Sequence, residues 1–373
     1  MRIMFLILSL RDGGAERVLA GLSNEMVKKN DISVVTIHNN TDHYQLDKSI
    51  KRIRVDKRLR NEDAFFRNKL KKISIRRISS LIRIIKTERP DVIISFLPLP
   101  SLYIMLARRL SRSIKKIPII LSERSDPDKE YHNKIIALLA KRLYKNADGF
   151  VFQTNDAKNF YKDSIKCRTT IIENPINEIF LSHKTSNVRR KNIVSCGRLV
   201  AQKNYKLLIR AFSRVIKYYP QYILEIYGEG SQKDELLELA RNLGIEDKVF
   251  LRGRVRNLAD EISDAGIFVL SSDYEGMPNA LMEAMALGIP CISTDCPVGG
   301  PKEIITDKKN GLLIDVGNED QLVNAIKMII SDDELSLMLS KNGVRNSKLY
   351  EMKNVVTKWD RFIEMVINDR SEV

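Results

Sequence analysis

The stretch IFVLSSDYEGMPNALME, residues 267–283, decides the fold class. It opens with an apolar run of the length of a buried strand, residues 267–271, and continues through a short loop that contains Gly276. Pro278 lacks the N–H group that a first helical turn leaves unbonded, so a helix is predicted to start at Pro278 or Asn279. A strand that passes through a loop into a helix is the building unit of a parallel α/β sheet, and the free N–H groups at the helix start favour a phosphate.

Short apolar runs alternate with stretches of helical period along the rest of the chain, which is typical of parallel α/β folds. The ten predicted strands lie at residues 3–9, 32–37, 92–96, 118–122, 149–153, 192–196, 222–227, 248–251, 267–271 and 290–293. The runs are continuous rather than alternating, as strands covered on both faces require. Ten strands exceed one comfortable doubly wound sheet, so we predict two Rossmann-like domains that face each other across a ligand cleft.

A polar stretch without apolar periodicity, LSHKTSNVRR at residues 181–190, is interpreted as the linker between the domains. The predicted domains are therefore residues 1–180 and residues 191–373, with a final helix that can pack back on the first domain. We find no internal repeat and no low-complexity segment, so neither a repeat array nor a disordered tail is expected.

The composition is that of a soluble globular chain, since 43% of the 373 residues are hydrophobic and 29% are charged. No apolar run approaches the roughly 18–20 residues that span a bilayer. The apolar opening, residues 1–10, is followed by no small-residue cleavage site, so we interpret it as a buried first strand rather than a signal peptide. The four cysteines lack C-x-x-C spacing and the four histidines lie far apart, which argues against a disulfide framework and a zinc site and favours a reducing compartment.

The positive charge of the chain is confined to its first half. Residues 1–190 carry 39 basic and 20 acidic side chains, whereas residues 191–373 carry 24 and 27. An anionic partner, either a nucleic acid or a membrane surface, is therefore expected for the first half. No nucleic-acid-binding motif and no aromatic stacking platform accompany the charge, which favours an anionic membrane surface.

The charge is densest over residues 51–90, with 15 basic and 4 acidic side chains. Within the helix predicted over residues 65–86, one stripe at helical spacing is expected to face the core: Phe66, Leu70, Ile73, Leu81 and Ile84. The neighbouring side is predicted to face lipid and carries Lys69, Lys72, Arg76 and Arg83. Five further cations extend this basic patch: Arg108, Arg109, Arg112, Lys115 and Lys116.

Charged residues follow two predicted strands of the second half. Glu275 lies in the loop after residues 267–271, and Glu283 lies eight residues further on, inside the helix. Arg198 and Lys203 follow the strand at 192–196, and cations just beyond a strand end suit charge-assisted contacts with an anionic ligand. For any one of these residues a solvated surface position is the simpler interpretation, and only the combined pattern favours a site.

Gly13 and Gly14 lie between the first strand and a helix. There a ligand could approach the backbone closely, although helix packing alone would also favour glycine. They do not form G-x-G-x-x-G, which argues against a dinucleotide-dependent oxidoreductase. Gly228 and Gly230 also lack the third glycine and are interpreted as a tight turn.

Residues 275–283 resemble the E-x7-E motif of glycosyltransferase family four, whose retaining enzymes have the two-domain GT-B fold. Other elements of that family are matched in the right order along nearly the whole chain. GRL at 197–199, followed by Lys203 and Asn204, resembles the G-R-L…K-[GN] element. Four further matches are YGEG at 227–230, VFLRG at 249–253, GLL at 311–313, and GGAER at 13–17, which resembles the opening loop of polysaccharide-assembling members.

The resemblance implies a role for each candidate residue. Glu275 would contact the hydroxyl groups of the donor sugar, as the catalytic carboxylate, and Glu283 would bind the ribose of the nucleotide. Asn279, Ala280 and Leu281 would cap the helix start that faces the diphosphate. The donor-binding set is completed by Gly13, Gly14, Arg198, Lys203, Arg254 and Gly276.

The resemblance also implies the reaction. A sugar would move with retention from a nucleoside diphosphate sugar, expected to be a UDP-sugar, to a polyprenyl-linked glycan in capsule, O-antigen or similar glycan assembly. The acceptor would attack from the leaving group's own side, and the departing phosphate would take its proton. The enzyme would need no cofactor and no metal, and would act in the cytoplasm at the inner face of the membrane. A nucleotide-sugar epimerase of the same fold and a nucleic-acid-binding protein are the alternatives.

One position departs from the family pattern. Many members carry a histidine at the carboxyl end of a first-domain strand, facing the transferred sugar, where this chain has Arg124. A guanidinium cannot act as a general base, so Arg124 is predicted to bind or to stabilise charge in the catalytic site. The nearby Asp126 and Asp128 form the D-x-D pattern of another glycosyltransferase fold, but Asp-Pro before a helix is ordinary turn chemistry and we expect no metal there.

Overall fold

The computed structural model describes residues 1–11, 13–56, 74–124, 134–183 and 188–371. The strands in this part of the chain are β1 (Arg2–Ile7), β2 (Asp31–Thr36), β3 (Lys51–Arg54), β4 (Val92–Phe96), β5 (Ile119–Ser122), β6 (Gly149–Phe152), β7 (Arg168–Ile171), β8 (Asn192–Cys196), β9 (Ile223–Tyr227), β10 (Val249–Gly253), β11 (Ile267–Leu270), β12 (Cys291–Thr294) and β13 (Leu312–Ile314).

The helices are α1 (Gly14–Met26), α2 (Ile75–Glu88), α3 (Pro98–Leu110), α4 (Arg112–Lys115), α5 (Lys134–Tyr144), α6 (Asn155–Phe160), α7 (Glu178–Ser182), α8 (Tyr205–Val215), α9 (Lys233–Asn242), α10 (Leu258–Ile262), α11 (Asn279–Ala286), α12 (Gly300–Ile304), α13 (Glu319–Ser331), α14 (Asp333–Ser347) and α15 (Met352–Ser371). Short 3₁₀ turns lie at Ala201–Lys203 and Lys348–Tyr350. None of the helices in the described residues is both long enough and apolar enough to span a bilayer.

The chain folds as two compact units. The first consists of Met1–Pro175 with Met352–Val373, and the second of Ile176–Glu351. Each unit holds one parallel sheet covered by helices, so the predicted pair of Rossmann-like domains is confirmed. The described residues of the stretch interpreted as a linker, 181–183 and 188–190, lie in the second unit.

The sheet of the first unit has the strand order β3-β2-β1-β4-β5-β6-β7, with every neighbouring pair parallel. The five strands predicted in this half form its centre, and their residues are almost fully buried. The two edge strands were not predicted, because β3 reads KRIR and β7 reads RTTI, and neither contains an apolar run. An edge strand leaves part of its surface exposed, which removes the hydrophobic signal.

The last helix, α15, completes the core of the first unit. Val355, Trp359 and Phe362 are buried against residues of β1 and β4. Trp359 stacks on Phe96 at the end of β4, with ring centroids 5.9 Å apart. Residues 352–371 therefore belong with the first sheet, although they follow the second one along the chain.

The sheet of the second unit has the order β10-β9-β8-β11-β12-β13 and is also parallel. β9 and β10 follow β8 on one side of the sheet. The chain then crosses back, and β11, β12 and β13 lie on the other side of β8. The strand order thus reverses between β8 and β11. In open parallel sheets, ligands bind at the carboxyl ends of the strands at such a reversal.

Candidate active site

Two loops meet at the reversal of strand order in the second unit. The loop after β8 carries Arg198 and Lys203, and the loop after β11 carries Ser272 and Glu275. Because β8 and β11 are neighbours, residues about seventy positions apart in the chain come together at one sheet edge. The arrangement places opposite charges where a parallel sheet binds its ligand.

Lys203 and Glu275 form an ion pair in this loop cluster. Lys203 Nζ donates to Glu275 Oε1 at 2.5 Å, and Ser272 Oγ donates to the same oxygen at 2.7 Å. Glu275 is only 7% exposed, and these two donors satisfy the carboxylate oxygen that is withdrawn from water. The sequence predicted both residues as site residues but did not pair them, and it did not single out Ser272.

The same two loops are joined by further hydrogen bonds around Lys203. Asn204 Nδ2 donates to Asp273 Oδ1 at 2.7 Å, and the Asp273 N–H donates to the Gln202 carbonyl at 2.9 Å. Gln202 Nε2 in turn donates to the Tyr274 carbonyl at 2.9 Å. These bonds hold the backbone on both sides of Lys203 in register with the loop that carries Glu275.

Asn204 occupies a left-handed backbone conformation, with φ 44° and ψ 47°. It is also the N-cap of α8, where its side chain accepts from the Leu207 N–H. Glycine and asparagine tolerate this conformation better than other residues, which gives a physical reason for the lysine-glycine or lysine-asparagine pattern at this point of the chain.

Substitutions of Asn204 should separate its two roles. Asn204→Gly keeps the left-handed conformation and loses the side-chain bonds, so we expect a loss of about 1 kcal/mol in unfolding free energy. Asn204→Ala adds backbone strain and should cost about 1–2 kcal/mol more. Urea denaturation checks both values, and equal losses for the two variants would contradict the conformational argument.

Glycines allow backbones to approach closely beside the ion pair. Gly228 has φ 142°, and a Cβ there would lie 1.9 Å from the Gly197 carbonyl oxygen. A Cβ on Gly300 would lie 1.6 Å from the carbonyl oxygen of Gly276, in the loop that carries Glu275. The predicted tight turn at Gly228 is thus also a point of close contact between the ends of β8 and β9, which no other residue could allow.

The loop after β12 braces the loop that carries Glu275. The Glu275 N–H donates to the Pro297 carbonyl at 2.6 Å, and the Val298 N–H donates to the Glu275 carbonyl at 2.9 Å. Thr294 Oγ1 donates to the Ser272 carbonyl at 2.6 Å. The backbone positions of both Ser272 and Glu275 are therefore held from the neighbouring strand.

The helix predicted to start at Pro278 or Asn279 begins at Asn279, with Pro278 as its N-cap residue. Asn279 and Ala280 are half-buried in its first turn, and Leu281 is buried in the core. Glu283 is 3% exposed, so it lies inside the unit rather than on the helix surface.

Two buried thiols lie close to the site carboxylates. Burial raises the pKa of Cys196, the last residue of β8, and the Glu283 carboxylate raises it further. Burial also raises the pKa of Cys296 to about 12, with Glu275 contributing to the shift. Both thiols therefore stay neutral at physiological pH.

Two predicted donor-binding arginines lie on the surface of the second unit. Arg198 is exposed in the loop after β8, and Arg254 is exposed directly after β10. The structure does not bring either arginine into the ion pair of Lys203 and Glu275. Both follow carboxyl ends of strands in the same sheet, as the donor-binding prediction requires.

In the first unit, Gly13 is the N-cap of α1, and the helix begins at Gly14. A Cβ on Gly13 would lie 2.0 Å from Glu16 Oε2, so this carboxylate folds back over the helix start. A negative charge is favourable at this end of a helix. Glu16 is the acidic residue of the first turn of α1, and such a residue is itself a helix-start signal that the GGAER motif already contains.

Arg124 lies at the carboxyl end of β5 and is only 8% exposed. Its Nε donates to Ser122 Oγ at 2.9 Å, and its Nη1 donates to Asn174 Oδ1 at 2.6 Å. The guanidinium carbon also lies 4.3 Å from the ring centroid of Phe96 and 5.8 Å from that of Trp359. Burial lowers the pKa of Arg124 to about 9. The predicted D-x-D residues Asp126 and Asp128 lie outside the described residues, and no cluster of metal-binding side chains occurs in the part of the chain that is described.

The basic side of the first unit runs along α2. Arg76, Arg83 and Lys86 are exposed on this helix, while Leu81 is buried and Ile84 is half-buried, as predicted for the apolar stripe. Lys69, Lys72, Phe66, Leu70 and Ile73 lie outside the described residues.

The basic surface continues from α2 to the end of α3 and to α4. The exposed cations there are Arg109, Arg112, Lys115 and Lys116. Arg108 is instead half-buried and bonded to Asp148 at 2.6 Å. Large apolar side chains are exposed at both ends of this surface, with Ile75 78% and Leu110 67% accessible. We call the exposed residues of α2, the end of α3 and α4 the basic face.

Two family models match consecutive parts of the chain. Residues 12–178 match the model described as Glycosyltransferase Family 4, and residues 178–346 match the one described as Glycosyl transferases group 1. An uncharacterised glycosyltransferase of Methanocaldococcus jannaschii is 31% identical over 79% of this chain and 84% of its own length. The GalNAc-alpha-(1->4)-GalNAc-alpha-(1->3)-diNAcBac-PP-undecaprenol alpha-1,4-N-acetyl-D-galactosaminyltransferase of Campylobacter jejuni is 28% identical over 99% of both chains.

Solved structures share the fold over nearly the full length. Anabaena HepE in complex with UDP has a TM-score of 0.80 at 17% identity and covers 98% of this chain and 100% of its own. Sucrose-phosphate synthase of Thermosynechococcus elongatus has a TM-score of 0.81, also at 17% identity, with 99% and 100% covered. Identities this low indicate a shared fold and carry no information on substrate.

Proposed function

The chain is an enzyme that belongs to glycosyltransferase family four and has the predicted GT-B fold, and on that premise we propose that it moves a sugar, with retention, from a UDP-sugar to a lipid-linked glycan. The observation that carries this proposal is the buried ion pair of Lys203 and Glu275 where the strand order reverses. A lysine suits the diphosphate of a donor, and a carboxylate beside it suits the hydroxyl groups of the attached sugar. The pair places these two recognition elements at one site.

Cations of the protein would stabilise the leaving diphosphate. Lys203 is held by the loops around it, and Arg198 is exposed nearby in the same loop. The N-terminal end of α11, beside Gly276 and Asn279, adds a favourable helix dipole. These groups can supply the positive charge that a bound metal ion supplies to a leaving diphosphate in other enzymes. We therefore propose that transfer needs no metal and no cofactor.

The proposed reaction needs no basic side chain of the protein, because the departing phosphate takes the proton of the acceptor. The acceptor hydroxyl oxygen forms a bond to C1 of the sugar while the bond from C1 to the phosphate oxygen breaks. The bonding electrons leave with the phosphate, and the acceptor proton moves to that phosphate oxygen. Glu275 would stabilise the positive charge that develops on the sugar ring, and Glu283 would bind the ribose.

The proposed acceptor is a glycan on a polyprenyl diphosphate. This part of the proposal is supported by the C. jejuni relatives, whose names specify undecaprenol-linked acceptors and which match the chain over 99% and 92% of its length. It is also supported by the basic face, because a lipid-linked acceptor is presented at a membrane surface. The enzyme would then work as a peripheral protein at the inner face of the cell membrane.

Charge reversal on the basic face should release the protein from lipid. Arg76, Arg83 and Lys86 are exposed along α2, and each cation near an anionic surface contributes about 1 kcal/mol. The triple change to Glu should therefore weaken binding to anionic vesicles at least about 100-fold. The affinity is measured as the fraction of protein that sediments with phosphatidylglycerol vesicles.

A matched variant controls for net charge. Lys233, Arg241 and Lys341 are exposed on the second unit, and reversing all three changes the charge by the same amount. This control should still sediment with vesicles. Equal sedimentation of the two triple variants would show that the basic face does not bind lipid.

Arg124 is proposed to stabilise charge during transfer, and Arg124→Met tests this against a purely structural role. Replacing a buried ion by an apolar side chain of similar volume is often neutral, and two lost hydrogen bonds cost roughly 1 kcal/mol each. The unfolding free energy should change by no more than about 2 kcal/mol, while kcat should fall about 10–100-fold. Unchanged turnover would assign Arg124 to the fold alone.

The proposed function is tested with a panel of donors. Purified protein is incubated with UDP-glucose, UDP-galactose, their N-acetyl derivatives and GDP-mannose, together with a polyprenyl-diphosphate glycan, and release of the nucleoside diphosphate is measured. We expect release from a UDP-sugar, no change on addition of EDTA, and a product whose anomeric signal by NMR matches that of the donor. Release without transfer to the glycan, or an inverted product, would overturn the proposal.

A further inference from the structure

Ser272 is the second donor to the Glu275 carboxylate, and the sequence patterns did not single it out. Its hydroxyl donates to Glu275 Oε1 at 2.7 Å, on the same oxygen that receives Lys203 at 2.5 Å. Ser272 is fully buried, with 0% exposure. It is held in place through its own carbonyl, which accepts from Thr294 Oγ1 at 2.6 Å.

The two donors differ in what happens when a donor sugar binds. Lys203 is assigned to the diphosphate by the proposed function, so its ammonium divides its three N–H donors between Glu275 and a phosphate oxygen, or turns fully to the phosphate. Ser272 is neutral, so the diphosphate does not attract its hydroxyl as it attracts the Lys203 ammonium. The hydrogen bond from Ser272 to the carboxylate is therefore kept. The backbone of Ser272 is fixed from β12 by the bond from Thr294 Oγ1 to its carbonyl.

We propose that Ser272 is a positioning residue that holds the Glu275 carboxylate in place once Lys203 has turned to the diphosphate. With Oε1 held by Ser272, Oε2 is left to face the sugar. This inference rests on the proposed function, because it assumes a donor that draws Lys203 away from Glu275. It explains why a hydroxyl is buried at the end of β11, directly against a buried charge.

Ser272→Ala should separate turnover from binding. Loss of a hydrogen bond to a charged group should weaken the positioning of the Glu275 carboxylate in the transition state. We therefore expect kcat to fall about 10–100-fold. The KM for the donor and the affinity for free UDP should stay within a few-fold of wild type, because Lys203 still reaches the diphosphate. Ser272→Thr keeps the hydroxyl and should recover most of the lost turnover.

A matched serine controls for the loss of a buried hydroxyl. Ser293 on β12 is equally buried and donates to a backbone carbonyl at 3.0 Å. Ser293→Ala should lower the melting temperature about as much as Ser272→Ala does, but should leave kcat unchanged. A fall in kcat for both variants would assign the effect to general loosening of the sheet.

A double-mutant cycle gives the decisive readout. In the Glu275→Ala background, Ser272→Ala should cause no further fall in kcat, because the carboxylate it positions is gone. An equal fall in both backgrounds, or wild-type turnover by Ser272→Ala alone, would overturn the inference.

Calorimetry separates this result from a failure of the proposed function. In wild type, UDP and a UDP-sugar should both bind, and Ser272→Ala should leave both affinities within a few-fold of wild type although kcat falls. A large loss of UDP-sugar affinity in the variant would contradict a positioning role that acts on turnover. Absence of both UDP-sugar binding and turnover in wild type would instead overturn the proposed function, and the inference with it.

Discussion

Lys203→Ala is expected to lower kcat about 10²–10³-fold, the loss typical of removing one donor to a developing negative charge. Lys203 is the cation that the loops after β8 and β11 hold in place, and the negative charge of the leaving diphosphate grows as the bond to the sugar breaks. The variant also leaves the Glu275 carboxylate without its ion-pair partner. Since breaking a buried pair costs about 3–5 kcal/mol, the melting temperature must be measured beside the kinetics.

Lys206 supplies the control for Lys203. It lies three residues away on α8 and forms a solvent-exposed ion pair with Glu235 on α9. Lys206→Ala should leave kcat unchanged and stability nearly so, because exposed ion pairs contribute about 0–1 kcal/mol. Near-normal turnover by a folded Lys203→Ala would remove the diphosphate assignment.

The two glutamates should lose different functions when each is changed to glutamine. Glu275 lies at the strand end beside Lys203, where the transferred sugar is expected, and Glu275→Gln should mainly lower kcat, by about 10²-fold or more. Glu283 is buried in α11 beside Cys196, and Glu283→Gln should mainly weaken nucleotide binding. An interaction made only in the transition state affects kcat, whereas uniform binding affects KM.

Binding of free UDP tests this division of roles, because UDP has no sugar. Calorimetry should show nearly unchanged UDP affinity for Glu275→Gln and reduced affinity for Glu283→Gln. The opposite pattern would mean that the roles are reversed.

Ten of the thirteen strands in the described residues, and the helix start at Asn279, could be predicted because their signals are local. A continuous apolar run marks a strand buried on both faces, and a proline before Asn279 marks a helix start. The polar strands β3 and β7 carry no such signal, since burial at a sheet edge is partial. The packing of α15 on the first unit was expected, but the contact of Trp359 with Phe96 that fixes it joins residues far apart in the chain and has no local signal.

The site was predicted as a set of residues rather than as an arrangement. Lys203 and Glu275 were identified separately. Their pairing follows from the adjacency of β8 and β11, and a local sequence pattern does not indicate which strands are neighbours in a sheet. Ser272 was missed because a serine at a strand end is unremarkable until its acceptor is known. The burial of Arg124 also arises from distant partners, namely Asn174 and Trp359.

The central claim is that the buried pair of Lys203 and Glu275 marks a binding site for a nucleoside diphosphate. Isothermal titration of UDP into wild type, Lys203→Ala and Lys206→Ala tests it most directly, since no acceptor or sugar is needed. The account predicts binding by wild type and Lys206→Ala, and an affinity at least about tenfold lower for Lys203→Ala, as loss of one charge-assisted contact implies. Equal UDP affinity in all three proteins, or no binding by wild type, would contradict it.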